Sequence, residues 1–223
     1  MIKGDGKIES TDGAHRYFYG VIYDNAAKRF GDCGVYNREV YSLPFKDVSI
    51  IVSNSPTISI EPNEENLRSH SRALSRVLED FTIIPSEFGT VIGSEKILMQ
   101  LMVKCYRAVL ATFKIVNGTA ELGIKIISGD KTKVDHGKID ALINDLKSVS
   151  NQVSFGDRFS ERIALNASFL VKKGDYDVFS DKIDEFNKAC PDIKVLYSGP
   201  WAPYNFVRLK IGKNGISLDK NGG

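Results

Sequence analysis

"NGTAELGIKII", residues Asn117–Ile127, decides how the rest of this chain is read. An Asn-Gly pair stops a helix, because glycine enters the left-handed conformation without a Cβ penalty. The residues that follow alternate. Leu122, Ile124 and Ile126 point one way; Glu121, Gly123 and Lys125 point the other. That period of two marks a strand with one buried face. A long helix therefore ends and a new strand begins at one point, and the domain boundary is set there, at Asn117–Gly118.

Upstream, Ile97, Leu98, Leu101, Cys105, Ala108, Val109 and Thr112 form a wide apolar stripe at helical spacing, opened by Ser94 and Glu95. Before it, "TIIPSEFGT" is a short strand that ends at Pro85 and Gly89. A second helix is predicted in "NEENLRSHSRALSRVLEDF", on Leu67, His70, Leu74, Val77, Leu78 and Phe81. Pro62 or Asn63 starts it, and Glu64 and Glu65 suit the positive end of its dipole. "RYFYGVIY" (Arg16–Tyr23) and "DVSIIVSNS" (Asp47–Ser55) read as strands, with a shorter one near Gly34–Leu43.

Downstream comes the turn-rich stretch "SGDKTKVDHGK". A helix on Ile139, Leu142, Ile143, Leu146 and Val149 follows. "ERIALNASFLV" is a strand, with Ile163, Leu165, Ala167, Phe169 and Val171 on one face. A helix on Phe179, Ile183, Phe186 and Cys190 ends at Pro191, and "IKVLYS" is again a strand. "NFVRLKI" reads as one more strand, after which the Gly-rich tail frays. From Thr119 the order is β-α-β-α-β-β, a rearranged ferredoxin-like module. The fold class is α+β in two domains: a flexible arm (1–14), an N-terminal α+β domain with two long helices (15–118), a C-terminal modified ferredoxin-like domain (119–212) and a tail (213–223).

Composition narrows the function. The 223 residues are 42% apolar and 26% charged, enough for a real core. Thirty basic residues oppose 28 acidic ones, and the signs alternate along the chain. Phosphate neutralisation needs a clustered positive footprint, so nucleic acid is not expected as a partner. No run of 18 apolar residues is present, and "MIKGDGKIESTDGAHR" has no apolar stretch of the secretory kind. Cys33, Cys105 and Cys190 are odd in number and widely spaced, which favours a reducing, cytoplasmic setting over a disulfide framework.

Signatures of catalysis are missing. There is no phosphate-binding G-x-x-x-x-G-K-[ST], no G-x-G-x-x-G, no G-x-S-x-G and no H-E-x-x-H. His15, His70 and His136 have no ligand spacing between them, so neither a metal nor a cofactor is expected. "GDYDVFSD" lacks the glycine and terminal glutamate of a calcium loop. His70 sits on the apolar face of its helix. A satisfied, partly buried histidine is the ordinary reading; a general base would need a reactive partner within reach. The chain is read as a non-enzyme.

Two punctuated segments remain. "IIPSEFGTVIGS" carries Pro85, Phe88 and Gly89. "GPWAPYNFV" carries Gly199, Pro200, Trp201, Pro203, Tyr204 and Phe206, including the only tryptophan. The prolines fix φ and push their neighbours away from helix, and Gly199 suits a conformation closed to other residues. The three rings are thus presented with little entropy left to lose. They either plug the end of the core or stand outward as anchors for an apolar partner.

Together with "YFYGVI", "DVSIIVS", "HSRALSRVLEDFTIIPSEFGTVI", "NGTAELGIKI" and "LNASFLV", the string "YSGPWAPYNFV" resembles the gas vesicle GvpF/GvpL family, in the family's order, from about Tyr17 to Val207. Ala202 stands where the family commonly has a second proline, and Ser86–Glu87 where it often has Leu-Arg. The linker near 128–138 is short against longer members. The resemblance implies two α+β domains, the C-terminal one a modified ferredoxin fold. It implies an accessory protein needed to assemble gas vesicles, the hollow shells that give cells buoyancy. Its expected partner is the small hydrophobic shell protein GvpA, and other gas vesicle proteins besides. The role is chaperone-like, in nucleation, or that of a minor shell component. The nine residues named in the two punctuated segments are the expected family signature and partner contacts. The rival readings are a ferredoxin-like domain that binds a small ligand or catalyses a reaction, recognisable by convergent titratable groups around His70 or Glu121, and a general scaffold for several vesicle proteins.

Overall fold

The structure, a computed structural model, describes residues 15–127, 135–157 and 163–207, together with the backbone of 209–212 and 215–218. The expected arm 1–14 and the turn-rich stretch 128–134 lie outside the described residues.

Two sheets organise the chain. The first contains β1 (His15–Ile22), β2 (Arg29–Gly31), β3 (Val40–Phe45), β4 (Val48–Ser55), β5 (Ile83–Pro85) and β6 (Val91–Ile92). Its order is β2-β3-β4-β1-β5, with β6 also on β1. Helix α1 (Glu64–Leu78) covers one face and α2 (Glu95–Val116) the other. Because both faces are covered, seven of the eight residues of the central strand β4 are buried, Ser49, Ser53 and Ser55 among them.

Strand β1 serves both faces through a bulge. Phe18 pairs with Val52 and Gly20 with Ile51, so Tyr19 is an extra residue and the alternation shifts there. Tyr17, Tyr19 and Ile22 therefore face α1, while Phe18 and Val21 face α2. Gly20 sits at φ 153°, and a Cβ there would stand 2.3 Å from the Ile84 carbonyl oxygen. Only glycine fits that crossing.

Both helices begin where their caps direct. Asn63 accepts from the Asn66 amide, and Ser94 from the Ile97 amide. Helix α2 stops at Val116, and Gly118 takes φ 77°. Two residues assigned to the buried stripes are exposed, Leu67 at 44% and Ile97 at 52%. Each sits in its helix's first turn, on the flank of the stripe. The buried rows instead run through Asn66, His70, Ala73 and Val77 in α1, and Leu98, Met102, Cys105 and Val109 in α2.

All strands of the second sheet follow Gly118. They are β7 (Thr119–Ile127), β8 (Gln152–Phe155), β9 (Ile163–Lys172) and β10 (Lys194–Trp201), in the antiparallel order β10-β7-β9-β8. Helices α3 (His136–Lys147) and α4 (Tyr176–Ala189) pack on one face, against Leu122, Ile124, Ile126, Leu165, Ala167, Phe169 and Val171. This is the ferredoxin-like β-α-β-β-α-β arrangement. It corrects the expected order, because "QVSF" is a strand: four residues, none fully buried, too short for alternation to show.

The stretch expected to return as one strand at Asn205–Ile211 divides. Tyr204–Phe206 is a single 3-10 turn, and β11 (Leu209–Gly212) forms a hairpin with β12 (Gly215–Leu218) alongside α2. Part of the tail expected to fray is therefore paired.

Candidate functional site: the junction around Trp201 and His70

The segment after β10 turns back across the open face of the second sheet and enters the first half of the molecule. Ala202 is buried in the cluster beneath α1, while Phe206 and Val207 are buried in the cluster beneath α2, beside Leu170 of β9. One short segment thus contributes to both helical layers of the first sheet. Lys173 adds a further tie, donating to the Leu78 carbonyl at 2.7 Å, where the last turn of α1 has free acceptors.

Gly199 and Pro200 make the turn possible. The β10–β7 register jumps between Ser198 and Trp201, and Gly199 stands in the gap at φ 119°. A Cβ there would lie 2.8 Å from the Glu121 carbonyl oxygen. Beyond the gap, Asn205 is held by Glu121. Its backbone N–H donates to one carboxylate oxygen at 2.9 Å and its side-chain amide donates to the other. The same amide reaches Ser168 at 3.1 Å. Glu121 is 7% exposed, so these donors replace water that burial removed.

Tyr204 carries the contact into α1. Its hydroxyl is 3.1 Å from His70 Nε2 and 3.2 Å from the Ser86 carbonyl oxygen. On the other side of the ring, His70 Nδ1 is 2.9 Å from the Tyr17 hydroxyl, which accepts from the Gly89 amide at 2.9 Å. Only one histidine tautomer satisfies every group. With the proton on Nε2, the chain runs Gly89 N–H to Tyr17 O–H to His70 Nδ1, then Nε2–H to Tyr204 O–H to the Ser86 carbonyl. With the proton on Nδ1, the Tyr17 hydroxyl hydrogen loses its acceptor and the Ser86 carbonyl loses this donor. The structure therefore assigns Nε2–H.

Aromatic packing closes the pocket. Tyr19 stacks on His70 with centroids 5.7 Å apart, and Phe88 meets it edge-on at 5.7 Å. Burial lowers the His70 pKa to about 4, so the ring is neutral at pH 7. Burial likewise pushes the Tyr17 and Tyr204 hydroxyls upward.

The two punctuated segments thus meet at His70. Phe88 packs on it and Gly89 reaches it through the Tyr17 hydroxyl, Tyr204 closes it from the other side onto the Ser86 carbonyl, and Pro85 pairs with Gly20 in the sheet behind. Pro203 and Phe206 turn inward. Trp201 is 47% exposed, and Tyr204 as a residue is 45% exposed although its hydroxyl reaches in. Of the three rings, then, Phe206 plugs the core, and Trp201 and Tyr204 are half-exposed. Sequence reasoning missed Tyr17, Ser86 and Asn205. The signal for Tyr17 was present, since it shares a strand face with Tyr19; nothing local pointed to the other two.

This arrangement is poorly suited to proton transfer. Both His70 nitrogens are engaged and the residue is 5% exposed. Among the described residues, no group of three or more His, Cys, Asp or Glu side chains is gathered to hold a metal. The cysteines are free, Cys105 and Cys190 buried and Cys33 half-buried. No helix among the described residues is long and apolar enough to cross a membrane.

Beside the Glu121–Asn205 contact lies a cleft of about 280 Å³, bounded by Ser71, Leu74 and Ser75 of α1 and by Trp201, Ala202 and Tyr204. Strand β10 forms one margin of the second sheet. No strand pairs with its far side among the described residues, and Leu196, Tyr197 and Trp201 along it are 39–47% exposed.

A family profile described as "Gas vesicle synthesis protein GvpL/GvpF" matches residues 15–136 and 131–208. Gas vesicle protein F2 of Halobacterium salinarum is 34% identical over 208 residues, covering 89% of this chain and 94% of the relative. Gas vesicle protein F of Haloferax mediterranei is 34% identical over 201 residues, covering 88% and 94%. The crystal structure of GvpF from Anabaena sp. PCC7120 superposes with a TM-score of 0.77 at 21% identity, over 86% of this chain and 95% of that one. GvpF from Microcystis aeruginosa gives 0.77 at 18%, over 88% and 100%. These two establish likeness of fold; the matches along the sequence establish kinship, and the chain belongs to the GvpL/GvpF family of gas vesicle synthesis proteins.

Proposed function

We propose that this protein holds the small apolar shell protein GvpA during gas vesicle assembly, in the cytoplasm and at the growing vesicle. It does so along β10 and the face of Trp201. A shell subunit with a water-repelling face is prone to aggregate before it is incorporated. A folded partner that covers that face would keep it available.

One observation carries the reading. The outer strand of the second sheet ends in a half-exposed tryptophan that the Gly199 turn and the Glu121–Asn205 contact hold in place. An unpaired strand margin accepts an incoming strand through main-chain hydrogen bonds, and a fixed aromatic supplies an anchor with little entropy to lose. Net charge supports the same reading: +2 in 223 residues leaves no field that would direct the protein to nucleic acid.

The test is capture of co-expressed shell protein. Trp201→Ala is expected to weaken capture by about 30-fold, the ~2 kcal/mol of a truncated aromatic anchor. Leu196→Lys, at the same strand margin, is expected to act in the same direction. Undiminished capture by both variants in folded form sinks the proposal for this surface.

A further inference from the structure

The cleft between α1 and the Trp201–Asn205 segment has the chemistry of a cation pocket. We infer that it receives one alkylammonium or guanidinium group, a lysine or arginine side chain presented by the protein partner. For the identity of that partner the inference rests on the docking reading above; for the pocket itself it does not.

Three features support this. The lining combines Trp201 and Tyr204 with Glu121, whose carboxylate is bonded to Asn205, another residue of the lining. Aromatic faces attract cations through their quadrupole, most strongly where water is displaced, and a carboxylate adds direct charge. Second, Glu121 is held by neutral groups. Its oxygens accept from the backbone and side chain of Asn205, and no ion pair joins it to a cation among the described residues. A carboxylate oxygen has two acceptor sites, so capacity for a cation remains after Asn205 is served. Third, the size fits. About 280 Å³ is at or below the lower end of small-molecule pockets and suits one long side chain. Leu74, with the serines of α1, forms the wall along which the methylenes of such a chain would lie.

Charge around the cleft agrees. Glu87, on the turn that frames His70, is close enough to act electrostatically on the Tyr204 hydroxyl. A cation entering beside Tyr204 thus meets Glu121 among the lining residues and feels the charge of Glu87 beyond them. An anion would meet the same two groups with opposite sign.

Trp201 is the only tryptophan of the chain, so its fluorescence reports on this cleft alone. The full chain is titrated with N-acetyl-argininamide and N-acetyl-lysinamide, with N-acetyl-leucinamide as the uncharged control. A saturable change with the two cationic probes and none with the control is expected. Glu121→Gln should weaken binding by about tenfold or more. Should that variant unfold, Ser71→Arg keeps the question open to decision. It supplies a guanidinium from α1 itself, and is expected to abolish the response while leaving the unfolding midpoint in place. An equal response to the leucine probe, no saturation, or unchanged binding in the folded Ser71→Arg variant would overturn the pocket. No shell protein enters this titration. Its failure with capture intact removes the pocket alone, and failed capture with an intact titration removes the docking surface alone.

Discussion

The imidazole Nε2 of His70 lies 3.1 Å from the hydroxyl of Tyr204, a residue 134 positions further along the chain. That contact joins the first helix to the segment that leaves the second sheet. Tyr204→Phe keeps the ring and removes the hydroxyl. The His70 Nε2–H is left without an acceptor, and the Ser86 carbonyl loses a donor. A loss of about 1–3 kcal/mol in urea unfolding is expected. An unchanged midpoint would show that water replaces the hydroxyl without cost.

Acid should act through the same histidine. Its folded pKa is about 4 against an ordinary 6.5, so between these values the unfolded chain binds a proton that the folded chain refuses. The contribution is fully present above about pH 6.5 and falls as pH drops toward 4. Its full extent is on the order of 3 kcal/mol. Denaturation of wild type and His70→Gln at several pH values isolates it. The variant is less stable at pH 7, and its stability should decline less steeply between pH 6.5 and 4. Parallel declines would refute this assignment.

Glycine at position 199 should be irreplaceable. Gly199→Ala places a Cβ 2.8 Å from the Glu121 carbonyl oxygen and asks alanine to hold φ 119°. A cost of about 1–3 kcal/mol or more is expected. Gly174 is the control. A Cβ there meets nothing within 4 Å, so Gly174→Ala should stay within about 0.5 kcal/mol of wild type.

Phe206 and Trp201 should separate by assay. Phe206 is 8% exposed inside the cluster beneath α2, and Phe206→Ala should cost about 3–5 kcal/mol. Trp201→Ala should change stability much less and fall on capture instead. Equal losses of stability in the two variants would place Trp201 in the core.

Thiol labelling should follow burial. The Cys105 thiol is buried and pushed up to about 11, so it reacts only on unfolding. Cys33 is half-buried, with its thiol also raised, and should react slowly in the native state. Rapid native labelling at Cys105 would contradict the packing of α2 described above.

Much of this fold was legible where one physical signal was local. The alternation of Leu122, Ile124 and Ile126 is strict because α3 and α4 cover one face of β7. Asn63 and Ser94 announced their helices because a cap needs its partner only three residues away. Strand β8 escaped because its four residues are held by pairing with β9 more than by their own burial. Leu67 and Ile97 misled because a stripe read from spacing has no sharp flank. In the candidate site, proline and glycine punctuation marked both segments correctly as unusual. Their meeting at His70 could not be read, since Tyr17 is 53 residues away from His70 and Tyr204 is 134 away. No periodicity extends over such separations.

Ala202, Phe206 and Val207 fill positions under helices made long before them, which has a consequence for synthesis. An N-terminal piece emerging from the ribosome can pair its strands, but both of its helical layers stay unfinished until translation has passed residue 207. Fragments ending near residue 118 are expected to be sticky and short-lived, because the segment that completes both helical layers lies beyond them. The packing of the first half is thus completed from the far end of the chain.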